Sequence, residues 1–133
     1  MSNRRDLRLD KYEISKYAYR ELLNFCRQYP EKKEKLRELR GLSSSSFNGT
    51  PRGNIPGNPT ERKAMIAARI AEDCELIEQT AIEADVRIYS WLIKNVTEEN
   101  LPYECLNPPI GRRQFYESRR KFFYLLAHKK GMV

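Results

Sequence analysis

Residues 60–95 contain neither proline nor glycine, and this stretch constrains the fold more than any other part of the chain. Its apolar side chains recur at three- and four-residue steps, which is the spacing of one face of an α-helix. The residues Asn58, Pro59 and Glu61 supply the cap, the first-turn proline and the capping-box acid of a helix start. The sequence therefore predicts one long central helix over residues 59–95, roughly 50 Å in length.

The apolar face of this helix has a spacing close to that of a heptad repeat. We favour the interpretation in which it packs antiparallel against a helix expected at residues 11–29. A dimer interface between two copies of the chain is the second interpretation, and the two are compatible. A bend or break near Ala84-Asp85 also fits the pattern. The positions of the face are Ile66, Ile70, Cys74, Ile77, Ala81, Ala84, Ile88 and Trp91.

Before the central helix, the sequence predicts two shorter helices within residues 1–40. Apolar positions recur at helical spacing up to Pro30, and this proline fits the first turn of a second, highly charged helix. Residues 41–58 contain four glycines, two prolines and a run of four serines, so they predict a flexible loop. With residues 59–95 and 96–133, these segments are expected to form a single compact domain, because 133 residues suit one modest core.

The composition argues against a membrane protein, a disulfide scaffold and an enzyme. There is no run of about eighteen apolar residues and no apolar core of a signal peptide, so we expect a cytoplasmic protein. Cys26, Cys74 and Cys105 are far apart and odd in number, which argues against disulfides and against a metal site. His128 is the only histidine, so no nucleophile–base pair is visible, and we expect neither catalysis nor a cofactor.

Positive charge is concentrated at the C-terminal end of the chain. Residues 112–130 read RRQFYESRRKFFYLLAHKK and contain seven Lys or Arg and one Glu, which gives this segment a charge of +6. The whole chain carries +7, so the remainder is close to neutral. Such a concentration of charge is typical of a surface that binds an anionic partner, and nucleic acid is the common one.

The same segment predicts a helix with two different faces. Its apolar stripe consists of Phe115, Ser118, Phe122, Leu125 and Leu126. The opposite face consists of Arg113, Tyr116, Glu117, Arg120 and Tyr124. A helix held by its stripe would present the opposite face outward, where guanidinium groups can bond guanine bases and neutralise phosphates. A solvated basic face on an ordinary terminal helix is the alternative interpretation.

Three predicted elements follow one another at the C-terminal end. A helix near residues 81–95 precedes a short helical turn near residues 100–106, and Asn107-Pro108-Pro109 then forces a tight turn before the basic helix at 112–129. This order is that of a helix-turn-helix with the last helix as the recognition helix. We therefore predict an all-α fold, a helical bundle with one long central helix and a C-terminal helix-turn-helix.

Two motifs give the sequence a familiar pattern, NPTERKA at the start of the long helix and IGRRQFYESRRKFFYLLA near the end of the chain. Their combination resembles bacteriophage transcriptional regulators of the RinA and ArpU type, whose C-terminal part is similar to region 4 of sigma factors. The resemblance covers most of the chain. It implies a DNA-binding regulator of phage late genes that acts in the host cytoplasm. Double-stranded DNA is the implied partner, RNA polymerase and a second copy of the chain are candidates for further contacts, and no membrane contact is implied.

Carried over by position, the resemblance implies that the DNA-binding residues lie on the basic helix. The residues implied to face the bases are Arg112, Arg113, Gln114, Tyr116, Glu117 and Arg120. The residues better suited to phosphates are Arg119, Lys121, Lys129 and Lys130.

Two other functions fit parts of the sequence. The heptad-like spacing suits a helical structural or interaction protein of a phage particle or its packaging machinery, which would oligomerise through the helix at 59–95. RNA binding would use the many tyrosines and phenylalanines to stack on bases. Most of these aromatic residues lie at core spacing, so we favour RNA binding least.

Overall fold

The computed structural model describes residues 12–46 and 59–133, and every regular element within these two ranges is an α-helix. The predicted all-α class is therefore confirmed for the described residues. Five helices have nine or more residues, and one helix has four. In chain order they are α1 (Lys16–Arg27), α2 (Tyr29–Ser46), α3 (Pro59–Ala84), α4 (Tyr89–Thr97), α5 (Tyr103–Leu106) and α6 (Arg112–Lys129).

The described residues group into two compact units, where the chain length had suggested a single compact domain. The larger unit contains residues 12–28 and 76–133, and the smaller unit contains residues 29–46 and 59–75. Helix α3 contributes residues to both units. No helix in the described ranges has the length and apolar character that crossing a bilayer requires.

In the smaller unit, α2 buries Leu36 and Leu39. The ammonium group of Lys32 on α2 lies 2.9 Å from a carboxylate oxygen of Asp73 on α3. Helix α2 continues to Ser46, five residues beyond the predicted start of the loop at Gly41. A glycine within a helix costs only about 1 kcal/mol relative to alanine, so it does not by itself end the helix. The rest of the predicted loop lies outside the described residues.

Helix α3 begins at Pro59, as the capping motif predicts, but it ends at Ala84 rather than near residue 95. The side chain of Asp85 accepts a hydrogen bond from the backbone N–H of Arg87 at 3.1 Å. This local bond competes with helical hydrogen bonding, which explains why the helix breaks here and resumes as α4. The predicted continuous helix is thus two helices, divided at the break that the sequence pattern allowed.

The core of the larger unit is built by α1, α4, α6 and the second half of α3. Helix α1 begins at Ser15, whose hydroxyl accepts the N–H of Ala18 at 3.0 Å, and it contacts both α4 and α6. These helices bury a continuous set of apolar side chains with no exposed surface. They are Leu22, Cys26, Ile77, Ala81, Ile88, Leu92, Val96, Phe115, Phe122 and Leu126.

Helix α6 packs against the core of the larger unit through most of its predicted apolar stripe. Four members of the stripe are buried, and Leu125 is half-buried. Phe123 and Ala127 are buried in addition, which widens the packed face beyond the prediction. After the last turn, Gly131 adopts φ +70°, and the N–H of Met132 donates to the carbonyl of Ala127 at 2.8 Å. This pattern is the Schellman motif that commonly ends a helix.

Candidate nucleic-acid interface

Contacts from α5 and the connector that follows it fix the N-terminal end of α6. The hydroxyl of Tyr103 donates to the carbonyl of Ile110 at 2.6 Å, and the ring of Tyr103 lies 5.6 Å from that of Phe115. The backbone N–H of Tyr103 donates to the hydroxyl of Tyr116 at 3.3 Å. Helix α5 itself ends at Asn107, which adopts the left-handed conformation with φ 48°. The basic helix is therefore held in one orientation relative to the short helix that precedes it.

Five of the predicted DNA-binding residues lie together on the side of α6 away from the core. Arg113 and Gln114 are exposed, and the other three are half-buried. Because their spacing follows the helical period, they form one continuous surface. We call this surface, which consists of Arg113, Gln114, Glu117, Arg120 and Lys121, the outward face.

The outward face has a net charge of +2, from three cations and one carboxylate. Arg113, Arg120 and Lys121 make no ion pair with any residue that the structure describes. The Nε of Arg120 is buried and has no hydrogen-bond acceptor among the described residues. An unsatisfied donor of this kind costs free energy, which a hydrogen bond to a ligand would recover.

The structure places Arg119 differently, against the body of the larger unit. Its Nε donates to the side-chain oxygen of Asn95 on α4 at 2.6 Å, and an η nitrogen donates to the hydroxyl of Tyr19 on α1 at 3.1 Å. The guanidinium also lies 5.1 Å from the centre of the Phe123 ring. Arg119 therefore joins three helices of the larger unit.

Tyr116 is half-buried and turned toward α5, as its hydrogen bond with Tyr103 requires. Its ring packs edge-on against Phe115 at 5.3 Å. Tyr116 thus lies beside the outward face rather than on it.

Three other predicted residues are cations with partners in their own chain. Arg112 lies 2.8 Å from the carboxylate of Glu104, and this hydrogen bond lowers the pKa of Glu104 and raises the pKa of Arg112. Lys129 lies 3.1 Å from Glu83, and the ammonium group of Lys130 lies 4.0 Å from the centre of the Phe25 ring. Exposed ion pairs of this kind stabilise a protein little, so an incoming phosphate can compete for Arg112.

Two residues outside the predicted set extend the outward face toward the end of α6. Tyr124 and His128 follow Arg113 and Arg120 at helical spacing, and their rings pack edge-on at 4.6 Å. The ring of Tyr12, which precedes α1, lies 5.5 Å from that of Tyr124. The helical spacing already placed Tyr124 on this side of the helix, and the contact with Tyr12 is what the sequence did not predict.

The described residues contain no group of three or more His, Cys, Asp or Glu side chains placed to hold a metal ion. In comparisons with known proteins, no family model, no curated protein and no solved structure matches this chain. The resemblance to regulators of the RinA and ArpU type accordingly stays a prediction from the two motifs.

Proposed function

We propose that the protein binds double-stranded DNA in a sequence-specific manner and regulates transcription. The observation that carries the proposal is the outward face of α6, where three cations without ion-pair partners among the described residues lie on a helix anchored to its own unit. A cation without an acidic partner can approach a phosphate without first breaking an ion pair. Its binding also releases counterions from the nucleic acid, which favours association.

In this proposal, α4, α5 and α6 act as a helix-turn-helix and α6 is the recognition helix. The major groove of B-DNA is wide enough to admit an α-helix. Arg113 and Arg120 are the candidates for bidentate contact with guanine, and Gln114 suits adenine. Glu117 can accept a hydrogen bond from the amino group of cytosine.

The flanking cations would contact the DNA backbone. Lys121 belongs to the outward face, and Arg112 lies over the ring of Tyr116 at the N-terminal end of α6. Lys129 and Lys130 lie at the C-terminal end of the helix. Arg119 is better explained as a positioning residue, because Asn95 and Tyr19 already bond its guanidinium. Backbone contacts fix the orientation of the recognition helix and carry no sequence information directly.

The biological role that we propose is control of phage late genes in the host cytoplasm. It rests on the resemblance of NPTERKA and IGRRQFYESRRKFFYLLA to the RinA and ArpU type. Contact with RNA polymerase and association of two copies on DNA belong to the same proposal.

Selection from a randomised duplex library, followed by gel-shift titration at two salt concentrations, tests DNA binding. We expect a defined site, and we expect Arg113→Ala or Arg120→Ala to cost about 1–3 kcal/mol at one base position. Lys121→Gln should weaken binding to all sequences and reduce the salt slope by about one unit. Arg37→Ala is the control, because it removes one exposed cation from α2 and leaves α6 unchanged. A chain that shifts no duplex, or whose binding ignores Arg113 and Arg120, contradicts the proposal.

The second candidate function is a helical interaction protein that oligomerises through α3. The heptad-like face divides in the structure, because Ile77 and Ile88 are fully buried, whereas Ile66 is 42% exposed. Met65, next to Ile66 in sequence, is 64% exposed. Within α3, it is therefore the N-terminal part that offers large apolar side chains to a partner. Light scattering of the wild type and of Met65→Glu tests this candidate. A monomer at every concentration rejects it, and an oligomer that Met65→Glu dissociates supports it.

A further inference from the structure

A polar cleft of about 440 Å³ opens in the larger unit, beside the C-terminal end of α4. Its polar and charged lining side chains come from α1, α4, the α4–α5 connector and α6. They are Arg27, Asn95, Glu98, Asn100, Tyr116 and Arg119.

Two arginines from different helices are held at this cleft by adjacent residues of α4. The Nε of Arg27 donates to the carbonyl of Val96 at 3.2 Å, and the Nε of Arg119 donates to the side chain of Asn95 at 2.6 Å. The amide of Asn95 in turn donates to the carbonyl of Leu101 at 2.9 Å. Both guanidinium groups are therefore oriented before any ligand arrives.

Most of the terminal nitrogens of these two groups are still available. One η nitrogen of Arg119 bonds the hydroxyl of Tyr19. An η nitrogen of Arg27 lies 3.9 Å from Glu99, whose side chain is 77% exposed, so that ion pair is long and solvated. The hydroxyl of Tyr116 accepts a hydrogen bond from Tyr103 and keeps its own proton for another acceptor.

The Nε bonds of the two arginines stabilise the C-terminal end of α4. The other N–H groups of the two arginines are not needed for that role. A cation near a helix C-terminus is favoured by the helix dipole, and one bond from each arginine satisfies that role. Among the described residues that line the cleft, Glu98 is the only acidic side chain, against two arginines, and it is exposed. The lining therefore has a net positive charge with several unused N–H groups.

We propose that this cleft binds a phosphate group. Arg27, Arg119 and Tyr116 all line the cleft, and the remaining η nitrogens of the two arginines and the hydroxyl proton of Tyr116 are donors that a phosphate oxygen accepts. A volume of about 440 Å³ lies within the roughly 300–1,000 Å³ that small-molecule sites occupy, so it exceeds what a single phosphate fills. The phosphate is therefore one end of a larger molecule, either a phosphodiester of a DNA backbone or a free phosphorylated compound.

Nuclear magnetic resonance of the arginine Nε–H groups in the full chain tests the proposal, with inorganic phosphate as the probe at constant ionic strength. We expect saturable shifts for Arg27 and Arg119 and none for Arg20, which is exposed elsewhere on α1. Arg27→Gln should weaken phosphate binding about tenfold or more, because it removes charge-assisted hydrogen bonds. Arg20→Gln removes the same charge from the same helix and should leave the affinity unchanged.

A second titration with a short DNA duplex distinguishes the sources of the phosphate. Shifts of Arg27 and Arg119 that inorganic phosphate competes away identify the DNA backbone as the source. A response to phosphate with no response to DNA identifies a free phosphorylated compound and leaves the cleft independent of the DNA-binding proposal. If phosphate gives no saturable shift at either arginine, or only the shift that chloride gives, the cleft is not a phosphate site. The wild-type titration decides this outcome even if a variant fails to fold.

Discussion

The hydroxyl of Ser118 on α6 donates to the carboxylate of Asp85 at 2.8 Å, and this bond joins the basic helix to the break between α3 and α4. Asp85 also receives the guanidinium of Arg87 at 2.8 and 2.9 Å. The side chain of Asp85 is only 7% exposed, so its charge depends on these donors. The carboxylate of Asp85 thus bonds the turn that follows α3 through Arg87, and it bonds α6 through Ser118.

Replacing Ser118 with alanine should destabilise the protein. The change removes one hydrogen bond to a charged carboxylate, which typically contributes about 1.5–3 kcal/mol. The same oxygen of Asp85 keeps its bond from Arg87, so the loss should lie toward the lower end of that range. Urea denaturation followed by circular dichroism measures the free energy of unfolding. Ser90→Ala, at an exposed serine of α4, is the control and should change that free energy by less than about 0.5 kcal/mol. Equal effects of the two variants would show that the Ser118–Asp85 bond contributes nothing.

Acid should remove the contribution of Asp85 to stability. The hydrogen bond from Arg87 is the largest cause of its lowered pKa, and the bond from Ser118 adds to it. Because the pKa is lower in the folded state, the stabilisation is present above the ordinary value of 3.8 and is lost as the pH falls through the lowered pKa. The free-energy difference between wild type and Asp85→Asn should therefore shrink in acid. Arg87→Gln should also reduce the pH-dependent part of the stability, because it removes the main donor to Asp85. A free-energy difference between wild type and Asp85→Asn that does not change with pH contradicts the prediction.

Replacing Arg119 with alanine should lower the free energy of unfolding, whereas replacing Arg113 with alanine should leave it almost unchanged. Arg119→Ala removes two hydrogen bonds that hold α6 to α4 and α1, and we expect a loss of about 2–3 kcal/mol of stability. Arg113→Ala removes an exposed side chain and should leave the free energy of unfolding within about 0.5 kcal/mol of wild type. Thermal denaturation of both variants and of the wild type measures these two changes in stability. A destabilised Arg113→Ala protein would mean that the outward face has a structural role.

Gly131→Ala should loosen the C-terminal end of α6. Gly131 has φ +70°, and an alanine in this conformation costs about 1 kcal/mol or more because its Cβ crowds the backbone. No atom lies within 4 Å of the added Cβ, so the cost is conformational and not a clash. Hydrogen exchange at the amides of Lys130, Gly131 and Met132 should be faster than in wild type. Unchanged exchange would show that the Schellman motif does not hold this end.

Local sequence features decided where α3 begins and where α6 begins and ends. The capping residues and the uninterrupted period predicted the start of α3 at Pro59, and the spacing of aromatic and aliphatic residues predicted α6 over residues 112–129. These features act within one or two helical turns, so a single sequence contains them completely. The sequence pattern predicted one helix over residues 59–95 and only allowed a break near Ala84-Asp85. The break depends on a side-chain hydrogen bond of Asp85 that competes with helical hydrogen bonding.

The tertiary structure decided which arginines of α6 face solvent. Arg113 and Arg119 each belong to an Arg-Arg pair of α6, but of these two only Arg119 has hydrogen-bond partners for its guanidinium among the described residues. The partners are Asn95 and Tyr19, which lie 24 and 100 positions away along the chain. Partners so distant in sequence meet only when α1, α4 and α6 pack. The sequence by itself therefore determined that this chain is helical with a basic last helix, and packing determined which of its cations are left for a partner.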